Sequence, residues 1–279
     1  MKTGSRLASA AALMALNGAL SRAADDTAAD PQALDSAFDA LRTFDWGTGI
    51  TIPEAGKPPE DAGVLAPIEE AVIAAHADAA AEKVLEVRLA AVLTTDAPRA
   101  AKDFVLRQLR MIGTTESVPA VAALLPDKDL SHMARYALEL NSAPEAAAAI
   151  REAVPAAQGP LKVGMIGSLG KRRDAASVEV LAPLLADADA ETAAAAAAAL
   201  GAIGTSAAAK ALSECVEKAP AGLRTSAIDA CLICAERLLA DGKKDEAVAV
   251  YKSLGGEDQP KHVRMAATRG LLIAAGKTD

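Results

Sequence analysis

The sequence predicts an all-α chain folded as a right-handed α-solenoid, and three observations support this fold class. A turn pattern returns at intervals of 28, 29, 34, 38 and 34 residues, which fits repeats of two helices each. Alanine, the best helix former, makes up about a quarter of the chain, whereas aromatic residues make up 2%. The sequence lacks stretches with the two-residue alternation typical of β-strands. The residues that mark the turns are Gly113, Asn141, Gly170, Gly204, Gly242 and Gly276.

Each repeat contains a first and a second predicted helix, with apolar residues at helical spacing. One hairpin cannot bury its apolar face alone, so neighbouring repeats stack on a shared core. Most second helices reach the next marking glycine, where we expect a left-handed residue to end the helix. Alanines fill positions 193–199 and bury little area, so we expect the least stable repeat there. The predicted first helices span 114–125, 142–154, 171–185, 205–216 and 243–254, and the second helices span 130–140, 159–170, 190–204, 221–242 and 261–276.

Residues 1–23 are predicted to be a signal peptide. Lys2 and Arg6 precede an apolar stretch at 7–20, and small residues occupy the cleavage positions before Ala24. The stretch is short for a membrane span, so we expect none in the mature chain. Cleavage after residue 23 removes three of 29 basic residues and none of 37 acidic ones, which leaves a net charge of −11. We therefore expect a periplasmic or secreted protein without nucleic-acid or anionic-membrane partners.

Residues 24–96 are predicted to form an irregular helical cap at the amino-terminal end of the repeats, which span 97–279. Terminal repeats are commonly atypical because they shield the core from water. The cap comprises a disordered start at 24–32, a helix at 31–44, a loop rich in Gly and Pro at 45–63, and helices at 64–79 and 80–94.

The three cysteines allow two interpretations. Cys231 and Cys234 lie on one predicted helix, and Cys215 lies on the helix before it. Either all three are buried, unreactive thiols on the core face, or Cys215 forms a disulfide with Cys231 or Cys234 in an oxidising compartment. Haem attachment is excluded because Ala235 stands where a histidine is required, and no four Cys/His ligands cluster for zinc.

Five segments carry a likeness to a known repeat family: FDWG (44–47), VLRQLRMIGTTESVPAVAALL (105–125), LSHMARYALE (130–139), GPLKVGMIGSLGKRRD (159–174) and PLLADADAETAAAAAAALGAIG (183–204). On these segments the chain from about residue 38 to 277 resembles HEAT-like repeat proteins, particularly exported proteins of environmental bacteria. The resemblance implies stacked helical hairpins. Related repeats also occur in phycobilin chromophore lyases, which is the family's main enzymatic association.

The resemblance also implies a structural ladder. In HEAT repeats, an aspartate in the loop between helices often pairs with an arginine early in the second helix. Asp127 and Arg135 match this pattern, and Arg264 matches its basic half. The repeat with Asp187 has Thr192 where the arginine would stand, so we expect the ladder to be broken there.

Two clusters of polar residues are candidates for function. His132 and Arg135 share a helix face, so they form either an acid–base pair beside an anion binder or a ladder arginine beside a partly exposed histidine. Lys171, Arg172 and Arg173 form the strongest basic run. They either complement a helix dipole or contact an anion or a partner protein.

The remaining candidates are isolated side chains. Trp46 is either a sugar-stacking platform or a residue packed in the amino-terminal cap. His76 and His262 have no neighbours at metal-ligand spacing. Motifs for nucleophilic, metal-dependent or nucleotide-dependent catalysis are absent from the sequence, so we predict no catalytic, cofactor-binding or metal-binding residue.

The last predicted helix, at 261–276, has apolar residues on two faces, but only the preceding repeat is available to cover one of them. We expect its second face to be exposed, covered by a partner, or covered by chain that continues past Asp279, and we favour a longer protein. An uncovered face of this kind also predicts self-association through the carboxyl end.

Three functional hypotheses follow. The first is a non-catalytic protein–protein interaction scaffold of an exported bacterial protein or assembly. Its partner would bind along the solenoid surface or at the open carboxyl end. The second is an enzyme of the chromophore-lyase type, which the export signal argues against. The third is an amino-terminal module of a longer exported carbohydrate-active protein. None of the three requires a cofactor on the residues present.

Overall fold

The computed structural model describes residues 30–45 and 63–277, and both stretches are helical. These residues contain fourteen α-helices, three short 3-10 segments and no β-strand. Neighbouring helices pack side by side, as in a helical solenoid, so the predicted all-α solenoid fold is confirmed. The chain divides into two compact units, one through Ala146 and one from Ala147 onward.

The first unit contains α1 (Pro31–Ala40), α2 (Ala66–Ala75), α3 (Ala79–Leu93), α4 (Arg99–Ile112), α5 (Val118–Ala122) and α6 (Ser131–Leu140), and α7 (Pro144–Ala153) crosses the division. The second unit contains α8 (Gly159–Arg172), α9 (Val178–Leu181), α10 (Ala190–Ile203), α11 (Ser206–Lys218), α12 (Ala221–Ala240), α13 (Lys244–Ser253) and α14 (Lys261–Ala274).

In the first unit, α1, α2, α3 and α4 pack in sequence, and α4 packs on α6. The predicted helix at 31–44 ends earlier, at Ala40, although Leu41 and Phe44 remain buried in the turns that follow. Its start agrees with the sequence. Pro31 occupies the first turn, and the Asp30 side chain accepts a hydrogen bond from the backbone N–H of Gln32.

The first helix of the next repeat is shorter than predicted, because a buried carboxylate holds its leading turn. Glu86 on α3 has 0% exposure. Its Oε1 accepts hydrogen bonds from the backbone N–H groups of Thr114 (2.6 Å) and Ser117 (3.0 Å). Its Oε2 accepts one from the Thr114 hydroxyl (2.8 Å). The turn 114–117 is thereby fixed to α3, and the helix begins only at Val118.

In the second unit, the second helices α8, α10 and α12 pack directly on one another. Glycines bring their backbones close together. A Cβ atom at Gly170 of α8 would lie 2.7 Å from Ala199 Cα of α10, and one at Gly201 of α10 would lie 2.8 Å from the Ala230 carbonyl oxygen of α12. Only glycine permits this separation, so these two contacts fix the spacing of the three helices.

The predicted role of Gly170 as a helix end is therefore wrong. Gly170 lies inside α8, which continues to Arg172 and ends at Arg173 in the left-handed conformation (φ 52°). Gly113 and Asn141 follow their helices in extended conformations. Gly204 caps α10 with φ 68°, as predicted, and positive φ also occurs at Gly242 and Gly276.

The predicted first helix at 171–185 is wrong as a single helix. It is divided into a 3-10 segment at Ala175–Ser177, α9, and a second 3-10 segment at Ala182–Ala186. Pro183 explains why α9 ends at Leu181, because it lacks the N–H that an α-helix would donate to the carbonyl of residue 179.

Several predicted features lie outside the described residues. They are the signal peptide at 1–23, the residues through 29, Trp46 and nearly all of the loop rich in Gly and Pro. Within the ranges 30–45 and 63–277, no helix combines the length and apolar character that crossing a membrane requires.

Candidate functional site

The predicted basic run lies at the carboxyl end of α8. Lys171 and Arg172 occupy the last helical turn, where positive charge complements the helix dipole. Arg173 caps the helix, and its Nη2 donates a hydrogen bond to Asp241 Oδ2 at the end of α12 (2.7 Å). The structure therefore gives Arg173 a contact between helix ends, and the role of the run as an anion or partner contact stays a prediction.

The proposed ladder residues lie at the start of α6 and within it. Asp127 Oδ1 accepts hydrogen bonds from the backbone N–H groups of Asp129 (2.8 Å) and Leu130 (3.0 Å), so this carboxylate orders the loop that leads into the helix. Arg135 is half-buried, and burial lowers the pKa of its guanidinium, while the Glu139 carboxylate raises it. The Asp127–Arg135 ladder stays a prediction.

His132 lies in a charged environment that the sequence did not reveal. Burial raises the pKa of Asp103 on α4, and the nearby charges of Arg99, Arg107 and His132 oppose this shift. Arg110 of α4 lies over the Tyr136 ring of α6, 3.9 Å from its centroid. Charge interactions and a cation–π contact therefore connect the facing sides of α4 and α6.

The sequence predicts only some of the charge contacts between successive repeats. Asp187 pairs with Lys162 of α8 at 3.0 Å, so the preceding second helix supplies the cation that Thr192 does not provide. Thr192 instead donates its hydroxyl hydrogen bond to Asp189 (2.6 Å). A second pair joins Arg151 of α7 to Asp174. These partners lie 23 to 25 residues apart, so no local sequence signal identifies them.

All three cysteines are buried thiols in the structure. Burial raises the pKa of Cys231 to about 12 and that of Cys234 to about 11. Such thiols remain protonated at neutral pH and are poor nucleophiles. This arrangement agrees with the first of the two interpretations, in which the cysteines are unreactive residues of the core.

The histidines do not assemble a metal centre. Across residues 30–45 and 63–277, no three His, Cys, Asp or Glu side chains are grouped so that they could hold a metal ion. His76 Nδ1 lies 3.0 Å from the Val72 carbonyl oxygen of its own helix, and His262 is exposed at the start of α14.

An apolar groove lies between α12, α13 and α14, and we call it the terminal groove. Its volume is about 460 Å³. Gly270 packs on the face of the buried Tyr251 ring, and this close approach forms the groove floor. The lining residues are Leu232, Glu236, Leu239, Ala240, Tyr251, Ala266, Arg269, Gly270 and Ile273.

Helix α14 also exposes large apolar side chains. Val263, Ala267 and Ala274 face the core. In contrast, Met265 is 62% exposed, Leu272 is 46% exposed, and Ile273 in the groove wall is 42% exposed. The sequence predicted such an uncovered apolar face on this helix, and the exposures agree with it.

The rim of the terminal groove carries one acid and one base. Glu236 of α12 and Arg269 of α14 both line the groove and are exposed. The pKa of the groove-floor Tyr251 is raised by burial and further by the Glu236 charge. The groove thus has an apolar interior and a rim with both signs of charge, which is the usual composition of a protein-binding surface.

Comparison with known proteins supports the repeat class. Residues 157–231 match the family described as HEAT repeats. This segment covers about a quarter of the chain and includes α8, α10, α11 and the first half of α12. A comparison with curated proteins found no match. The described residues therefore form an all-α helical-repeat structure, and the segment 157–231 is similar to HEAT repeats.

Proposed function

We propose that this protein is an exported, non-catalytic scaffold that docks a protein partner in the terminal groove. The observation that carries the proposal is the uncovered apolar surface of α14 beside that groove. The match to HEAT repeats supports the same class of function, because such repeats commonly bind other proteins.

The pattern of helix packing explains why this surface suits a partner. The flank of α8 is covered by α10, and the flank of α10 is covered by α12. Helix α14, in contrast, keeps Met265 and Leu272 exposed. Burying one such side chain contributes roughly 1.5–3 kcal/mol, so a helix laid along the groove gains several favourable contacts. Helices with apolar residues on one face bind grooves of this kind.

Site-specific photo-crosslinking tests the docking surface. We expect benzoyl-phenylalanine at Leu272, expressed in the native host, to form discrete adducts with a protein after illumination. The same residue at Ile73, an exposed apolar position on α2 in the first unit, serves as the control. Equal adduct patterns at both positions, or none at Leu272, would contradict the proposed docking surface.

Export is the second part of the proposal and rests on the sequence alone. The basic start, the apolar stretch and the small residues before Ala24 support cleavage by a signal peptidase. Amino-terminal sequencing of the protein from a bacterial host tests this step. We expect the mature chain to begin at Ala24, and an intact Met1 on cytosolic protein would contradict it.

A further inference from the structure

Two charges at the terminal groove have no ion-pair or hydrogen-bond partner among the described residues. These are Glu236 and Arg269, and neither forms an ion pair or a hydrogen bond through its side chain within residues 30–45 and 63–277. Some other exposed charges of the second unit have ion-pair partners, including Arg173 with Asp241 and Arg224 with Asp258. One free acid and one free base therefore stand at the rim of an uncovered apolar groove.

This arrangement is complementary to itself. In a dimer with two-fold symmetry, the same surface of each subunit forms the interface, so residue i contacts residue j and j contacts i. Two terminal grooves that meet in this way can place Glu236 of each subunit opposite Arg269 of its partner. The exposed Leu272 and Ile273 of each subunit are then available to cover the apolar groove of the other.

We infer that the occupant of the terminal groove is a second copy of this chain, held by reciprocal Glu236–Arg269 pairs. This inference rests on the proposed function, because it names the partner of the same docking surface. Charge complementarity favours a second copy, since an unrelated partner would have to supply an oppositely ordered pair of its own. The apolar contacts supply affinity, and the two ion pairs fix the register.

Sedimentation equilibrium of the purified protein, combined with charge reversal, tests the inference. We expect the wild-type protein to sediment as a dimer. Glu236→Arg and Arg269→Glu should each weaken the dimer at least tenfold, because like charges then face each other twice. The double variant Glu236→Arg/Arg269→Glu should recover most of the affinity. Circular dichroism checks that all variants remain folded, which we expect because both side chains are exposed.

A matched control reverses charges on the same helices outside the groove. Asp229→Arg on α12 and Lys261→Glu on α14 change exposed residues that do not line it, and we expect the dimer to keep its affinity. A monomeric wild-type protein would overturn the inference, as would a double variant weaker than either single one. If the wild-type protein is monomeric but Leu272 crosslinks to a different protein, the proposed docking function still stands and the dimer does not. If Leu272 forms no crosslink at all, both the docking function and the dimer are contradicted.

Discussion

At the scale of single residues, Glu86 shows how a buried charge connects two repeats. The carboxylate replaces its lost hydration with two backbone N–H groups and one hydroxyl, all from residues 28 to 31 positions later. Nothing near Glu86 in the sequence distinguishes it from a solvent-exposed glutamate. This contact could not be predicted, because its partners come from another repeat.

Glu86→Ala should destabilise the first unit. The substitution leaves the buried N–H of Ser117 and the partly buried N–H of Thr114 without their acceptor, which costs on the order of 3 kcal/mol. Chemical denaturation measures the change in the free energy of unfolding. Glu70→Ala, an exposed position on α2, is the control and should change it by less than about 0.5 kcal/mol. Equal small effects would show that the buried carboxylate is not needed.

Alkaline pH should destabilise the second unit through its cysteines. Burial raises the pKa of Cys231 to about 12 and that of Cys234 to about 11, from an ordinary value of 9.0. The folded state therefore holds these protons more tightly than the unfolded state. Their contribution to stability is complete below about pH 9 and is lost as the pH rises towards 11 and 12.

Denaturation at pH 8 and pH 11 measures this loss. We expect Cys231→Ala/Cys234→Ala to lose less stability between the two pH values than the wild-type protein, although its stability at pH 8 is lower. A parallel decline in both proteins would assign the alkaline effect to other groups.

At the scale of helices, close packing of second helices organises the second unit. Gly170 and Gly201 allow α8, α10 and α12 to approach until backbone atoms touch. Of the alanines at 193–199, four are buried. The predicted low stability of the repeat at 193–199 follows from the small side-chain area of alanine. The close backbone contacts of α10 argue against that prediction. Whether this repeat opens first stays a prediction.

Two glycines of one helix provide a matched pair of substitutions. Gly170→Ala should destabilise the protein by about 1–3 kcal/mol, because its Cβ would overlap Ala199. Gly167→Ala, one turn earlier in α8, meets no atom within 4 Å and should stabilise the protein by about 0.5–1 kcal/mol. Melting temperatures of the two variants should move in opposite directions. A shift in the same direction would contradict the close packing of α8 on α10.

Most helices could be predicted from the sequence, whereas several of their ends could not. Apolar periodicity predicts α6 and α10 to within two residues, since long amphipathic stretches carry a strong local signal. Gly204 was correctly assigned as a helix cap. Gly170 was not, because a glycine that serves close packing has the same local sequence pattern as one that serves a turn. The sequence predicts an uncovered apolar face on the last helix. It does not predict the terminal groove, since the walls of the groove come from three different helices.

At the scale of the whole molecule, the packed helices of the second unit form the terminal groove. Stacked helices need no catalytic or cofactor site to hold the terminal groove in place. The apolar floor, the exposed side chains of α14 and the two rim charges belong to this one location. The central claim is that this surface is covered by protein in the cell.

Oxidative footprinting of two methionines tests this claim most directly. Met265 on α14 is 62% exposed, and Met111 on α4 is 53% exposed, so both should oxidise at similar rates in dilute purified protein. In the native host, we expect the oxidation of Met265 to fall several-fold relative to Met111, because a docked protein shields α14. Equal oxidation of the two methionines in the cell would contradict the account.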